Sequence, residues 1–553
     1  MTFSVADFNF KKIINYVDWK LLLFLLLFLN VKLAVKIPAI IIIYLLQFNF
    51  RFKFSFKNSR LPLFYLLVIA IAFADLVITG SYHRPGYLIA FLIGIGFWLL
   101  CILAIHQIKL SVENNDVETI HHTVLVFFVI NITLSVYNLA HIMWETGTLN
   151  PYGYQGEYEK YFIGTGDYIK GVTFDSSITN AVLNAFGVVY FLVRKKPLMT
   201  LACMAVLLLT ASNCVNLMLM LVLALLFIFK SSRDQKSVVA VCVAFLVIFM
   251  AKISPQNNQY VVETFKNTFH EKPPTFLNTL VVDKQRNGVP TPEAIKRKFA
   301  KHYLDSVAVI NIKINPPKRI PREVLILPKT DAGHIFIEKP NILLPFYQAS
   351  KTVTADQKNL LHFIDVHKAS LPISGKDSTG NHLPGKVIAF MQTLRYLQLH
   401  PLKIIAGVGM GNFSSKLAFR ATGLGFSGNY PSNHTYINND FLANHLDIYL
   451  NFFSRRAESH SLTNSPSSVY DQLLVEYGLL GLLALLGWYL WFFAKHYKKL
   501  TYGMPLLILL GGVFFIDYWF EQLSVLVLFE LLLFLDIKQT ANNNKLSVNY
   551  EHQ

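Results

Sequence analysis

The chain has 553 residues, 53% of them hydrophobic and only 15% charged, with a mean hydropathy of +0.42 and a formal net charge of +17. That is more apolar surface than one water-soluble core buries, which excludes an ordinary soluble domain and points to lipid as the solvent. The basic excess has no continuous Lys/Arg tract or aromatic-interleaved module behind it, so no nucleic-acid partner is expected.

A bilayer core of about 30 Å takes about 20 mostly apolar helical residues to cross. Runs of this kind predict helices at 19–30, 34–50, 61–80, 86–106, 119–143, 176–193, 197–211, 213–229, 237–252, 471–494, 503–516 and 522–537. The fold class expected is therefore an all-α polytopic membrane bundle of about 12 transmembrane helices, with a large α+β or irregular extracytoplasmic insertion. Lys11 and Lys12 before the first run imitate a secretory signal, but no small-residue cleavage site and soluble mature chain follow, so the run is taken as a retained span. Lys32 and Lys36 interrupt the join between the first two runs. In the third, Asp75 is an intramembrane acid, which calls for a partner, a function or hydration near the outer end.

Loop charge orients the layout, because short cytoplasmic loops accumulate Lys and Arg. With the N-terminus inside, the inner loops carry Arg51, Lys53, Lys57 and Arg60, then Lys109, then Arg194, Lys195 and Lys196, then Lys230, Arg233 and Lys236, then Lys495, Lys498 and Lys499, with Lys538 after the last span. Both termini are thus expected in the cytoplasm, and Trp144–Ser177 and Ala251–Tyr470 on the far side. The organisation follows: N-terminal spans over 1–252, about nine in number, an extracytoplasmic insertion over 253–402, an extracytoplasmic substrate or catalytic loop over 403–470, and C-terminal spans with a cytoplasmic tail over 471–553. Cys101, Cys203, Cys214 and Cys242 all fall in predicted helices without metal-type spacing and are expected to act as small apolar residues.

Between Ser254 and Pro401 polar residues and proline become frequent. Thr291-Pro292-Glu293 predicts an N-cap opening a helix towards Tyr303, and Arg322–Pro328 and His334–Glu338 predict short strands. Val387, Phe390, Met391, Leu394 and Leu397 recur at three-to-four-residue spacing, predicting an amphipathic helix over Gly385–His400. It would lie on the membrane surface or across the bundle, with Lys386 and Arg395 on its polar face. Gly407, Gly409 and Gly411 then alternate after an apolar run. Three explanations stand: a dinucleotide-type phosphate loop, a tight turn returning to the membrane, or a turn whose amides face a lipid-borne diphosphate. Farther on, Asp471, Gln472 and Glu476 occupy the first turns of a long apolar helix, where a carboxylate suits the positive helix end, although Glu476 lies deep enough to imply a role or partner.

The order Pro401-Leu402-Lys403-Ile404-Ile405-Ala406-Gly407-Val408-Gly409-Met410-Gly411-Asn412-Phe413, a polar loop, then Tyr470-Asp471-Gln472-Leu473-Leu474-Val475-Glu476-Tyr477-Gly478-Leu479-Leu480-Gly481 resembles the O-antigen ligase and O-antigen polymerase family of bacterial envelope proteins. The layout is similar over nearly the whole chain, and the motifs match over about 385–485. The resemblance implies transfer of a glycan from an undecaprenyl-diphosphate carrier to a lipid A core or a growing polysaccharide, at the outer face of the inner membrane, without cofactor, nucleotide sugar or required metal. Cations would hold the leaving diphosphate and a base would take the acceptor proton. By position, Lys386 falls where the family often has an arginine, with Arg395, Lys416 and Arg420 as neighbours able to share the task. Two departures stand out: Ser467 occupies about the place of a usual histidine, and Ser212-Asn213 replaces a usual Ser-Arg pair. The base is then sought among His434, His445, His460 and Glu476, with His460 and Glu476 preferred.

In Trp144–Ser177, Tyr152, Tyr154, Tyr158, Tyr161 and Tyr168 accompany Asp167, Lys170 and Asp175. Interfacial tyrosines are usually belt residues and also suit sugar stacking, so Tyr154, Tyr158 and Lys170 are candidate glycan contacts. The rival readings are a polysaccharide or lipid transporter or flippase, and a non-catalytic component of polysaccharide assembly. A transporter would be marked by inverted repeats or by helices broken at midplane charges, neither of which is visible in the sequence.

Overall fold

In the N-terminal part, local signals set the ends of the helices. Asp18 caps α1 (Trp19–Phe28), accepting from the Lys20 and Leu21 amides, and α2 (Leu33–Gln47) carries Pro38 within it. After α3 (Phe64–Ile78), Pro85 opens α4 (Pro85–Asn114) at the position where its missing amide costs nothing. α4 outruns the predicted 86–106 and ends where Asn115 turns extended; the Lys538 ammonium there donates to the Val112 and Asn115 carbonyls left over at the helix end. α5 (Val117–Thr146) stops at Gly147, whose φ of +64° is the left-handed conformation glycine tolerates. α6 (Ser177–Val193) is capped by Ser176; α7 (Pro197–Leu209) and α8 (Asn213–Phe229) follow, and Ser232 and Gln235 form a capping box on α9 (Arg233–Ile248), which a π turn extends over Phe249–Ile253.

The computed structural model describes residues 16–47, 61–153, 165–254, 384–421, 436, 438–445, 448–449, 452 and 465–551. Among them there are helices and no strands; the two strands expected in 322–338 and the helix expected from Thr291 lie outside the described residues. The chain divides into two units, one of Met1–Phe265, Leu399–Met410 and Ser467–Gln553, the other of Lys266–Gln398 and Gly411–Pro466. The N-terminal and C-terminal helices, far apart in sequence, therefore share one unit.

The C-terminal helices complete that first unit. The stretch 471–494, predicted as one span, is broken: α14 (Val469–Glu476) ends at Tyr477, and α15 (Gly478–Ala484) starts on a glycine with φ +67°, continuing through a π turn at Leu485–Leu490 into α16 (Trp491–Ala494). α17 (Gly503–Val513) and the short α18 (Trp519–Gln522) lead into α19 (Ser524–Glu551), much longer than the predicted 522–537. Every residue from Ser524 to Asp536 is at most 1% exposed, because α1, α4, α5, α6, α17 and α18 surround this half of α19. A helix apolar all round belongs inside.

Lipid suits the outside of the unit. Ile78, Leu217 and Phe229 are each more than 70% exposed, a display water opposes and acyl chains accept. Among the described residues three helices are long and apolar enough to cross a membrane: Gly86–Asn114, Val117–Thr146 and Arg233–Ile253. The other apolar helices run 10–17 residues. The chain is thus an all-α protein, over its described residues, with membrane-type helices. Cys101, Cys203 and Cys242 are buried and Cys214 half-buried, none of them in a disulfide.

Polar groups inside the unit find specific partners. Asn138 accepts from the Lys170 and Gly171 amides, Asn131 accepts from the Val172 amide, and the Asn180 amide donates to the Ile169 carbonyl, so three asparagines of α5 and α6 hold the 169–172 loop. Lys36, 2% exposed, donates to the Phe28 carbonyl (2.8 Å) and to the Ser524 hydroxyl (2.7 Å), while the Tyr65 hydroxyl donates to the fully buried Glu530. The sequence marks Lys36 as a charge between two apolar runs and places Glu530 inside another, but their partners are not readable from an apolar run.

In the second unit, α10 (Gly385–Leu399), α12 (Lys416–Ala421) and α13 (Asn439–Asn444) are described; α11 (Lys403–Ala406), between α10 and α12 in the chain, belongs to the first. Tyr396, Phe413, Phe419, Phe441, His445 and Tyr449 form an aromatic core, and Tyr396 donates to Asp440 at 3.0 Å.

Candidate functional site

The two segments that carry the family resemblance meet in the first unit. The Val408 amide donates to the Val475 carbonyl (2.9 Å) and the Gly409 amide to the Glu476 carbonyl (3.1 Å). Glycine makes this approach possible. Gly407 (φ +86°) and Gly478 (φ +67°) face each other so closely that a Cβ on Gly407 would lie 2.5 Å from the Glu476 oxygen, and one on Gly478 2.2 Å from the Ile405 oxygen. The obstructing atoms are backbone in both cases and cannot swing aside. The result is a clasp between the glycine turn and the break between α14 and α15.

Three explanations of the glycine turn can now be separated. A dinucleotide loop needs a preceding strand, and a helical turn, α11, stands there instead. A diphosphate cradle needs free amides, but those of Gly407, Val408 and Gly409 donate to Lys403, Val475 and Glu476. Gly407 and Gly409 serve a tight, packed turn.

Aromatic and polar side chains brace the clasp. Tyr87 on α4 donates to the Met410 carbonyl (3.2 Å), and Trp98 one helical stretch further donates to the Tyr477 hydroxyl (2.9 Å). Gln472 donates to Glu521 on α18 (2.7 Å), and Tyr470 to the Gly511 carbonyl of α17 (2.6 Å). α3 packs on α15, and its buried Asp75 lies within electrostatic reach of Lys403 on α11. One Asp75 carboxylate oxygen has no hydrogen-bond partner among the described residues. Asp471, Gln472 and Glu476 are all buried, Glu476 to 1% exposure, so its carboxylate is not at an open surface.

The candidate cations belong to the second unit. Lys386 sits half-buried in the first turn of α10, Arg395 is exposed on the same helix, and Lys416 and Arg420 are half-buried on α12. The Arg420 Nε is buried with no acceptor among the described residues. Burial, and then the Asp440 carboxylate, push the Tyr396 phenol well above its ordinary range, so it stays a neutral donor. The structure therefore groups Lys416 with Arg420 on one short helix and Lys386 with Arg395 on another, while Glu476 lies in the first unit.

Among the histidines, His445 is fully buried against Phe413 and Tyr449, and His434 and His460 lie outside the described residues. Ser467, at the place of the usual histidine, is buried. So is Ser212, whose hydroxyl has no partner among the described residues. Tyr154 and Tyr158 lie outside the described residues; Lys170 lies in the asparagine-held loop, its ammonium 5.5 Å from the Tyr168 ring centre. No group of three or more His, Cys, Asp or Glu among the described residues is arranged to hold a metal ion.

Sequence reasoning missed Tyr87, Trp98 and Glu521. Glu521 had a visible signal, an acid between Phe520 and the last apolar run. An aromatic residue inside an apolar helix carries no mark of which way it faces. Comparison with known proteins finds no family model, no curated protein and no solved structure that matches this chain.

Proposed function

We propose that this protein is a multi-pass membrane glycosyltransferase of the O-antigen ligase or polymerase type. In this reading about 12 helices cross a bacterial cytoplasmic membrane, both termini are cytoplasmic, and Ala251–Tyr470 faces outward. The observation that carries the reading is the clasp: the glycine turn and the Glu-Tyr-Gly-Leu-Leu-Gly segment, on which the resemblance rests, are bonded to each other through Val408, Gly409, Val475 and Glu476. Motifs that only happened to occur in one chain would have no reason to meet.

The acceptor hydroxyl oxygen bonds to the anomeric carbon of the carrier-linked glycan as the bond from that carbon to the diphosphate oxygen breaks. The bonding electron pair leaves with the diphosphate, whose charge Lys386, Arg395, Lys416 and Arg420 stabilise. Arg420, with its Nε lacking an acceptor, is the best supported of these. The hydroxyl proton passes to Glu476 or His460. Since Glu476 is buried, its service as base requires a rearrangement that exposes its carboxylate when substrate binds.

Deleting the gene and profiling surface glycans and carrier-linked precursors tests the reaction. Complementation with Lys386→Ala, Arg420→Ala or Glu476→Ala is expected to leave precursor accumulating; full restoration by all three would end the site assignment. Impermeant thiol labelling that found 251–470 on the cytosolic side would end the reaction itself.

A transporter is the second reading, favoured by Lys36 and Glu530 inside the helical bundle, where charge often marks a substrate or ion path. Reconstituted vesicles separate the two. Transfer releases free carrier diphosphate, whereas transport moves the carrier-linked glycan across intact.

A further inference from the structure

The face that α10 turns outward is its apolar one. Ala389, Thr393 and Tyr396 are buried and hold the helix in place, with Tyr396 packed on Phe413 and bonded to Asp440. Val387, Phe390, Met391 and Leu394 are instead 39–51% exposed. At 3.6 residues per turn these four occupy an arc of about 100°, with Lys386 beyond one edge and Arg395 beyond the other. Of the predicted apolar stripe, only Leu397 is buried. Water opposes such a display, and the anchored opposite face prevents the helix from rolling the stripe inward.

The charge pattern identifies what covers it. From Ser378 to Asn439 the chain carries Lys386, Arg395, Lys403, Lys416 and Arg420 and not one Asp or Glu. An apolar stripe flanked by cations, within an acid-free stretch, complements an anionic phospholipid surface: acyl chains receive the stripe while the long cationic side chains reach the phosphates. A protein partner would not require acids to be absent over such a length. We infer that α10 lies flat in the interfacial layer of the bilayer, Val387, Phe390, Met391 and Leu394 entering the acyl region and Lys386 and Arg395 at headgroup level. This rests on the membrane reading above, and it gives the proposed diphosphate contacts a physical setting, since headgroup level is also where a polyprenyl diphosphate presents its phosphates.

The test is nitroxide labelling of the full-length chain in nanodiscs of phosphatidylethanolamine and phosphatidylglycerol without polyprenol. Val387→Cys, Met391→Cys and Leu394→Cys are labelled one at a time, beside Leu221→Cys on the exposed face of α8 as a span reporter; signal from native thiols is subtracted using the unsubstituted chain. Collision with dissolved oxygen is compared with collision with a water-soluble nickel chelate. Oxygen-dominated relaxation at all three α10 positions is expected, weakening when Lys386→Glu and Arg395→Glu are combined. Nickel-dominated relaxation there, with Leu221 still oxygen-dominated, overturns the inference and leaves the membrane reading standing. Protection from both reagents at α10 identifies a protein contact and also overturns it. A nickel-dominated Leu221 sinks the membrane reading first.

Discussion

Replacing Gly478 by alanine tests whether the two motif segments are held together as the structure has them. Its φ of +67° lies in the left-handed region, where a residue with a Cβ loses about 1–2 kcal/mol. The new Cβ would start 2.2 Å from the Ile405 oxygen and 2.5 Å from its carbon, so the backbones must separate, an overpacking strain of about 1–3 kcal/mol. Separation also stretches the bonds from Val408 to Val475 and from Gly409 to Glu476, each contributing about 0.5–1.5 kcal/mol net. The sum is about 3–8 kcal/mol, comparable with the whole stability of many proteins. The loss is expected to be local, because α11 and the glycine turn can lift away while α19 keeps its surroundings. Hydrogen exchange followed by mass spectrometry on purified Gly478→Ala should show the amides of Val408 and Gly409 exchanging far faster, together with a lowered melting temperature. Gly96→Ala is the control: Gly96 has nothing within 4 Å of its virtual Cβ, lies in α4, and should gain up to about 1 kcal/mol of helix propensity. Equal protection at Val408 and Gly409 in Gly478→Ala and in the unsubstituted protein would refute the clasp.

Tyr65→Phe removes the hydroxyl donating to buried Glu530 and should cost about 1–3 kcal/mol in chemical unfolding, whereas Glu530→Gln retains an acceptor for Tyr65 and should cost less. Asp536 accepts from the Thr501 amide and hydroxyl and the Gly503 amide, so Asp536→Ala strands these donors beneath α17 and should destabilise by about 2 kcal/mol or more, read as a lowered melting temperature. Gly171→Ala would drive a Cβ to 2.3 Å from Asn131 Oδ1 at a φ of +53°, and should free the 169–172 loop, visible as faster exchange of the Lys170 and Val172 amides. Burial, then Lys495, Lys499 and Lys109, lower the His496 pKa. The folded protein therefore refuses a proton that the unfolded chain accepts, so its contribution is complete above about pH 6.5 and is lost as pH falls towards the folded value. His496→Asn should flatten the fall in melting temperature below that pH; an unchanged slope would remove His496 as its source.

Where helices form was legible in the sequence, because an apolar run of sufficient length and the caps at its ends are local properties. Over the described residues each of the twelve predicted runs coincides with helix, from α1 at Trp19 to α19 at Ser524. The glycine turn and the acid-bearing helix start were legible too, as unusual residues at fixed spacing. Three things were not. The break at Tyr477–Gly478 follows from a backbone that must make room for Gly407, a residue about 70 positions earlier, and no local pattern encodes that neighbour. Apolar runs conceal which side faces protein, so the encirclement of α19 and the partners of Lys36 and Glu530 emerge only when the other helices pack around them. On α10 the hydrophobic spacing announced a helix, but its buried side is the small and aromatic stripe of Ala389, Thr393 and Tyr396. Periodicity specifies that one face differs from the other; only the tertiary contacts, here Phe413 and Asp440, decide which of the two is turned inward, because the free energy of burial depends on what stands opposite.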